Sequence, residues 1–162
     1  MASKKDQGRI QVGILGQGRS GRSIHAAWLS RVPEQYEIVA VSDILKDRRE
    51  RAENDYACAT YADYRDLLKR EDVELVVNSL PSHLHPQGTV DALKAGHHVV
   101  CEKPLAPSMK EFNRMIAAAK QSGKVMAPFQ QSRYAPNFQE ILRILKSRIL
   151  GRIVLIKMAY NG

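Results

Sequence analysis

The sequence predicts an α/β protein built on a doubly wound parallel sheet, and three observations predict it. Strand and helix signals alternate along nearly the whole chain, joined by connections too short for anything but crossover units. Apolar runs such as VELVVNSL (73–80) and HHVVCE (97–102) are continuous rather than alternating, as expected of strands covered on both faces. The first strand also leads straight into a glycine cluster that opens a helix. With 162 residues, 44% hydrophobic and 26% charged, the chain can bury one real core.

Each element follows from a local signal. Residues 9–15 put Ile10, Val12 and Ile14 on one side of a strand, and 19–31 follow as a helix stopped near Pro33. Residues 36–42 form a second apolar strand ending at Asp43, and KDRRERAENDY (46–56) is a helix with a solvated face. A short strand at 59–61 precedes a helix in DYRDLLKR. Pro81 ends the strand within 73–80, and 86–95 make the next helix, with Gly96 as its C-cap. Ser108, with Glu111 three residues on, reads as a capping box for a helix through Gln121. Phe112, Met115, Ile116 and Ala119 give that helix its apolar stripe, and Gly123 ends it before the strand KVMAPF (124–129). Phe138, Ile141, Leu142, Leu145 and Ile149 recur at helical spacing. Gly151 is expected to stop that helix, and RIVLIKMAY (152–160) reads as a final strand.

Composition sets limits on function. No apolar run approaches the roughly 18 residues of a membrane span, and the start, MASKKDQGR, lacks the apolar stretch of a signal peptide. Two cysteines, Cys58 and Cys101, make no disulfide framework, so a cytoplasmic setting is expected. The net charge is +8, and all of the excess lies in residues 82–162, with 12 basic and 4 acidic side chains. Residues 1–81 balance at 13 of each. A phosphate-bearing ligand, nucleic acid or an acidic partner would each account for that asymmetry. The basic residues are scattered and few aromatics accompany them, which argues against a nucleic-acid surface.

Gly16-Gln17-Gly18-Arg19-Ser20-Gly21 follows the first strand, opens the first helix and precedes an acid, Asp43, at the end of the second strand. That context is what the dinucleotide fingerprint of a Rossmann fold requires. Gly16 permits the turn, Gly18 lets backbone approach a pyrophosphate and Gly21 lets helix and strand pack closely. The amides of Arg19 and Ser20 would meet the phosphates at the positive end of the helix. A glycine-rich turn with no ligand is the plain alternative. Asp43 can accept from ribose hydroxyls and repels a 2′-phosphate, which favours NAD over NADP; Ser42, Lys46, Arg48 and Arg49 lie close in sequence.

At the end of the 73–80 strand, Ser79 and Leu80 could line the cofactor's path, and Pro81 would shape the turn beside it. His83 and His85 form an H-x-H pair, but no structural metal spacing is matched; His85 reads as a turn residue near the cofactor, and no metal is expected. In Cys101-Glu102-Lys103-Pro104, a strand ends in an acid and a lysine. From there Lys103 could polarise a carbonyl or stabilise an alkoxide. Arg133 suits a phosphate or a ribose hydroxyl.

Residues 9–21, Asp43, Pro81 with His85, Ala95-Gly96-His97-His98-Val99, Glu102-Lys103-Pro104-Leu105-Ala106 and Gln131-Ser132-Arg133-Tyr134-Ala135-Pro136 fall in an order that resembles one family. The chain is similar to the cofactor-binding half of the glucose–fructose oxidoreductase and inositol dehydrogenase (Gfo/Idh/MocA) family. The resemblance implies nicotinamide-dependent oxidation of a hydroxyl, or reduction of a carbonyl, on a sugar, cyclitol or related molecule. It implies that Lys103 contacts substrate and nicotinamide ribose, that Glu102 shares that site, and that the Arg133 segment borders the cofactor near a hinge. It further implies a flexible tail at 1–8 and a Rossmann domain at 9–150, with 130–150 as the hinge segment. Residues 151–162 would then be the first strand of a truncated substrate domain. Family members carry a second α/β domain with a proton-transfer histidine, which none of this chain's five matches. The chain is accordingly expected to bind cofactor without turnover, and to form a homo-oligomer when that domain is present. A dinucleotide sensor without catalysis is the alternative, disfavoured by the retained Lys103.

Overall fold

The computed structural model describes residues 8–159, which divide into two compact units, one running to Phe129 and one beginning at Gln130. The first unit holds six strands: β1 (Ile10–Leu15), β2 (Tyr36–Ser42), β3 (Ala59–Tyr61), β4 (Leu75–Asn78), β5 (His98–Cys101) and β6 (Met126–Pro128). They pair in parallel in the order β3-β2-β1-β4-β5-β6, so the winding reverses between β1 and β4. That reversal makes the sheet doubly wound, as its apolar runs required.

Two apolar layers cover the sheet. Leu15 and Val76 face one of them, with Leu67, Leu93 and Met115 from α3 (Tyr64–Leu67), α4 (His85–Lys94) and α5 (Met109–Ser122). Val12, Ile14 and Val77 face the other, with Leu29 from α1 (Gly21–Ala26 continued by Ala27–Leu29) and Ala52 from α2 (Lys46–Tyr56). Adjacent residues of one strand therefore enter opposite layers, which is why β4 is apolar in succession from Leu75 to Val77. Each fully buried side chain of this size contributes about 1.5–3 kcal/mol.

The first helix differs in form from the expected α-helix. It winds as a π-helix over Gly21–Ala26 and continues as α-helix only over Ala27–Leu29. The capping box of α5 forms by half. Ser108 Oγ accepts from the Glu111 N–H at 3.3 Å, while the Glu111 carboxylate pairs with Arg114 at 3.2 Å.

The second unit carries a 3-10 turn (Gln131–Tyr134) and α6 (Pro136–Ser147). Gly151 does not stop this helix: α6 ends at Ser147, and Arg148 takes the left-handed cap itself, with φ 56°. The strand expected at 152–160 is absent over 152–159, and Tyr160 lies outside the described residues, as do 1–7 and 161–162. A strand needs a partner for its N–H and C=O groups, and among the described residues nothing pairs with this segment. The expected division kept 130–150 with the domain before it, whereas the compact units part at Phe129.

Because only Ser108 closes its half of the cap, Ser108→Ala should lower stability by about 1 kcal/mol. Glu111→Ala, which loses an exposed ion pair, should cost a few tenths of that. Urea unfolding of the two variants checks the difference.

Candidate functional site

The site is built around a close crossing of backbones. Gly16 has φ +88° and donates its N–H to the Ser42 carbonyl at 2.7 Å. A Cβ on Gly16 would stand 2.7 Å from the Ser79 carbonyl oxygen, and one on Gly21 only 1.9 Å from the Gly16 carbonyl oxygen. The Ser79 hydroxyl lies 2.9 Å and 2.8 Å from the Leu15 and Gly16 carbonyls, fastening the turn to the end of β4. The glycines at 16 and 21 are thus demanded by the chain's own packing. Gly18 is not, since the nearest atom to its Cβ would be an Arg48 guanidinium nitrogen at 3.7 Å. Bare backbone there leaves room for a ligand.

A cleft of about 620 Å³ opens beside this turn. It is lined by Gly16, Gly18, Arg19, Ser20, Asp43, Ser79, Leu80 and Pro81, all expected from the sequence. It is lined also by Ser42, Ile44, Leu45, Arg48 and Leu84, and by Ala62 and Asp63 before α3 with Tyr64 and Arg65 at its start. Sequence reasoning missed that last wall. Its signal was available, because β3 ends beside β2 and ligands gather at the carboxyl ends of such strands. Ser20 makes no side-chain cap, and first-turn N–H groups have no intrahelical acceptor, so this helix start offers free donors to an anion.

Asp43 is 8% exposed and largely committed. Its Oδ2 accepts the Gln17 N–H at 2.8 Å and meets Arg48 Nη1 at 3.3 Å, and its Oδ1 accepts the Leu45 N–H at 2.9 Å. A carboxylate offers about four acceptor sites, so one remains for a hydroxyl. Arg49 holds the same corner through the Asp43 carbonyl at 2.8 Å.

Gln17, Gly21, His85, Glu102 and Lys103 do not line the cleft. Gln17 is buried, and its Nε2, like Ser42 Oγ, lacks a hydrogen-bond partner. Glu102 is buried too. Its Oε1 lies 3.1 Å from His25 Nε2 on α1, and its Oε2 accepts the Lys103 N–H at 3.1 Å. The acid therefore shapes the turn on which Lys103 stands exposed, beside the Ser79–Pro81 loop because β5 neighbours β4. The Lys103–Pro104 peptide is cis. His25 packs against the Phe129 ring at 4.4 Å, and burial holds its ring below the ordinary 6.5 against the pull of Glu102. Burial pushes the Cys101 thiol up to about 11, which makes it a poor nucleophile. His85 begins α4 with its ring between two carbonyls, and His83 is exposed. Among the described residues no group of three or more His, Cys, Asp or Glu stands ready for a metal. Arg133 belongs to the second unit, on its 3-10 turn.

Two predictions follow from this geometry. Gly21→Ala should cost at least about 3 kcal/mol, beyond ordinary overpacking, whereas Gly18→Ala should stay within about 0.5 kcal/mol. Thermal melts separate them. The lowered His25 value means that the unfolded chain binds this proton more readily than the folded one. Its stabilising share is therefore complete above pH 6.5 and is lost as pH falls from there toward the depressed folded value. Denaturant unfolding across that range should show the loss, and His25→Gln should remove that component.

Comparison with known proteins gives a consistent picture. Residues 10–130 match the GFO_IDH_MocA model, described as oxidoreductase family, NAD-binding Rossmann fold. An inositol 2-dehydrogenase of Salmonella typhimurium is 33% identical over 150 residues, covering 91% of this chain and 44% of that protein. The scyllo-inositol 2-dehydrogenase (NADP(+)) IolW of Bacillus subtilis is 31% identical over 153 residues, 94% of this chain and 42% of that one. The WlbA dehydrogenase of Bordetella pertussis, solved with NADH and UDP-GlcNAcA, superposes with a TM-score of 0.83 at 26% identity, covering 89% of this chain and 44% of that one. The chain thus spans less than half the length of these relatives. No helix among the described residues is long and apolar enough to cross a membrane.

Proposed function

This chain belongs to the GFO_IDH_MocA oxidoreductase family, and we propose that its first unit holds a pyridine dinucleotide across the carboxyl ends of β1, β2 and β4. The whole protein's reaction is then oxidation of a hydroxyl, or reduction of a carbonyl, on a sugar, cyclitol or related small molecule. One observation carries the reading. Gly18 is bare where the fold needs no glycine, at the start of a helix whose N–H groups face a cleft at the sheet's winding reversal. The inositol dehydrogenases among the relatives, and the sugar nucleotide bound by WlbA, support the substrate class.

The nicotinamide, when bound, supplies the hydride chemistry. The chain's own residues bind and orient. The Arg19 and Ser20 amides and the Ser20 hydroxyl would take the pyrophosphate, and the remaining acceptor site of Asp43 would take a ribose hydroxyl. Lys103, a cation on the turn beside the Ser79–Pro81 loop, would stabilise negative charge developing on the substrate oxygen. The retained lysine favours an enzyme over a sensor without catalysis. Asp43 favours NAD, because its carboxylate repels a 2′-phosphate; Arg48, paired to it at 3.3 Å, tempers that repulsion. IolW, among the relatives, is named for NADP(+).

Calorimetric titration with NADH and NADPH tests the reading. NADH should bind more tightly, and Gly18→Val should abolish binding while leaving the melt unchanged. Asp43→Asn, which keeps an acceptor but removes the charge, should narrow the gap between the two cofactors by about tenfold, or ~1.4 kcal/mol. A folded chain that binds neither cofactor overturns the assignment.

A further inference from the structure

The turn that carries Lys103 is fastened to the cleft by a buried histidine. His85 is 2% exposed, and its backbone is fixed by Asn78, whose Nδ2 donates to the His85 carbonyl at 2.9 Å and to Thr89 Oγ1 at 3.0 Å. The ring lies between two backbone carbonyls. Nδ1 is 2.7 Å from the Pro104 oxygen, and Nε2 is 2.8 Å from the Leu80 oxygen. The ring therefore bridges the turn after β4 and the turn after β5.

Few charged groups surround the ring. β4 ends in Asn78 and Ser79, and the turn at Ser82–Leu84 offers only the exposed His83. The turn after β5 carries Glu102, committed to His25 and the Lys103 N–H, and Lys103 itself. Asp91 on α4 accepts from Tyr64 and Gln87, and Glu111 on α5 pairs with Arg114.

We infer that His85 is a positioning residue: its ring spans the carbonyls of the cleft-lining Leu80 and of Pro104 beside Lys103, and so sets where the lysine stands relative to a bound dinucleotide. The functional sense of the clasp rests on the cofactor reading above, while the clasp itself does not. His97 is an internal comparison. Its Nδ1 and Nε2 lie 2.7 Å and 3.0 Å from the Val73 and Leu68 carbonyls, at the opposite, amino end of the strands.

Backbone amide spectra of the ligand-free chain read the claim directly. His85→Gln, whose shorter side chain cannot span both carbonyls, should shift the backbone amide signals of both Leu80 and Lys103. His97→Gln should move neither. Lys103 signals unmoved in folded His85→Gln overturn the positioning role. If that variant does not fold, nuclear Overhauser contacts from the His85 ring to Leu80 and Pro104 in the unaltered chain decide, and their absence overturns the clasp. Addition of NADH while watching the Gly18 amide tests the cofactor reading separately. Shifted Lys103 signals in His85→Gln with an unmoved Gly18 signal would sink that reading and the role toward the dinucleotide, leaving only the clasp.

Discussion

The closeness of the β1–α1 turn to the end of β4 is the constraint on which the rest of the first unit depends. A single added carbon on Gly21 would stand 1.9 Å from the Gly16 carbonyl oxygen, so the turn exists in this form only without a side chain there. The approach lets the Ser79 hydroxyl fasten the turn, lets Gln17 reach the Asp43 carboxylate and leaves Gly18 facing open space. Ends of three neighbouring strands are thereby tied at one point, and the cleft is the gap that the tie leaves. Ligand geometry here is a by-product of packing geometry, which is why residues that never touch the cleft govern its shape.

The same logic reaches Lys103 through buried polar groups. Glu102 spends one oxygen on His25 from α1 and the other on the lysine's own N–H, while His85 from α4 holds the next carbonyl. Helices on opposite faces of the sheet therefore converge on one turn. Buried polar groups are costly when half-satisfied and rigid when satisfied, so these bonds fix the turn alongside the packing of Leu105 and Ala106 against the core. An exposed lysine on an ordinary loop would wander; this one stands on a backbone that does not.

Much of this was legible in the sequence, for identifiable reasons. β2 and α2 stand at their expected limits because an apolar run gives way abruptly to a charged one at Asp43. The glycine turn was readable because its spacing, flanking strand and distant acid reinforce one another. The wall formed by Ala62, Asp63, Tyr64 and Arg65 was not, since those residues look like an ordinary helix start: Asp63 caps α3 and pairs with Arg65. Only the sheet order, which sets β3 beside β2, brings them to the cleft. Gln17 and Glu102 do not line the cleft, because motif position does not reveal which way a side chain turns. The end of α6 misled because Arg148 adopts a conformation that sequence rules reserve for glycine.

Charge balance offers a further lesson about where binding resides. The +8 excess lies wholly in residues 82–162, yet every cleft-lining residue but Leu84 falls within the balanced first half. Net charge therefore says nothing of the cleft. What matters there is local: Arg19, Arg48 and Arg65 stand against Asp43 and Asp63, and Asp63 is spent on its own helix cap and on Arg65. Asp43 is the buried acid of the two, bordered by the guanidinium of Arg48. A cleft so arranged offers a helix start to an anion and a buried carboxylate to a hydroxyl, which is what the proposed dinucleotide needs. The distribution within a few ångströms, and not the sum over the chain, fixes which anion fits.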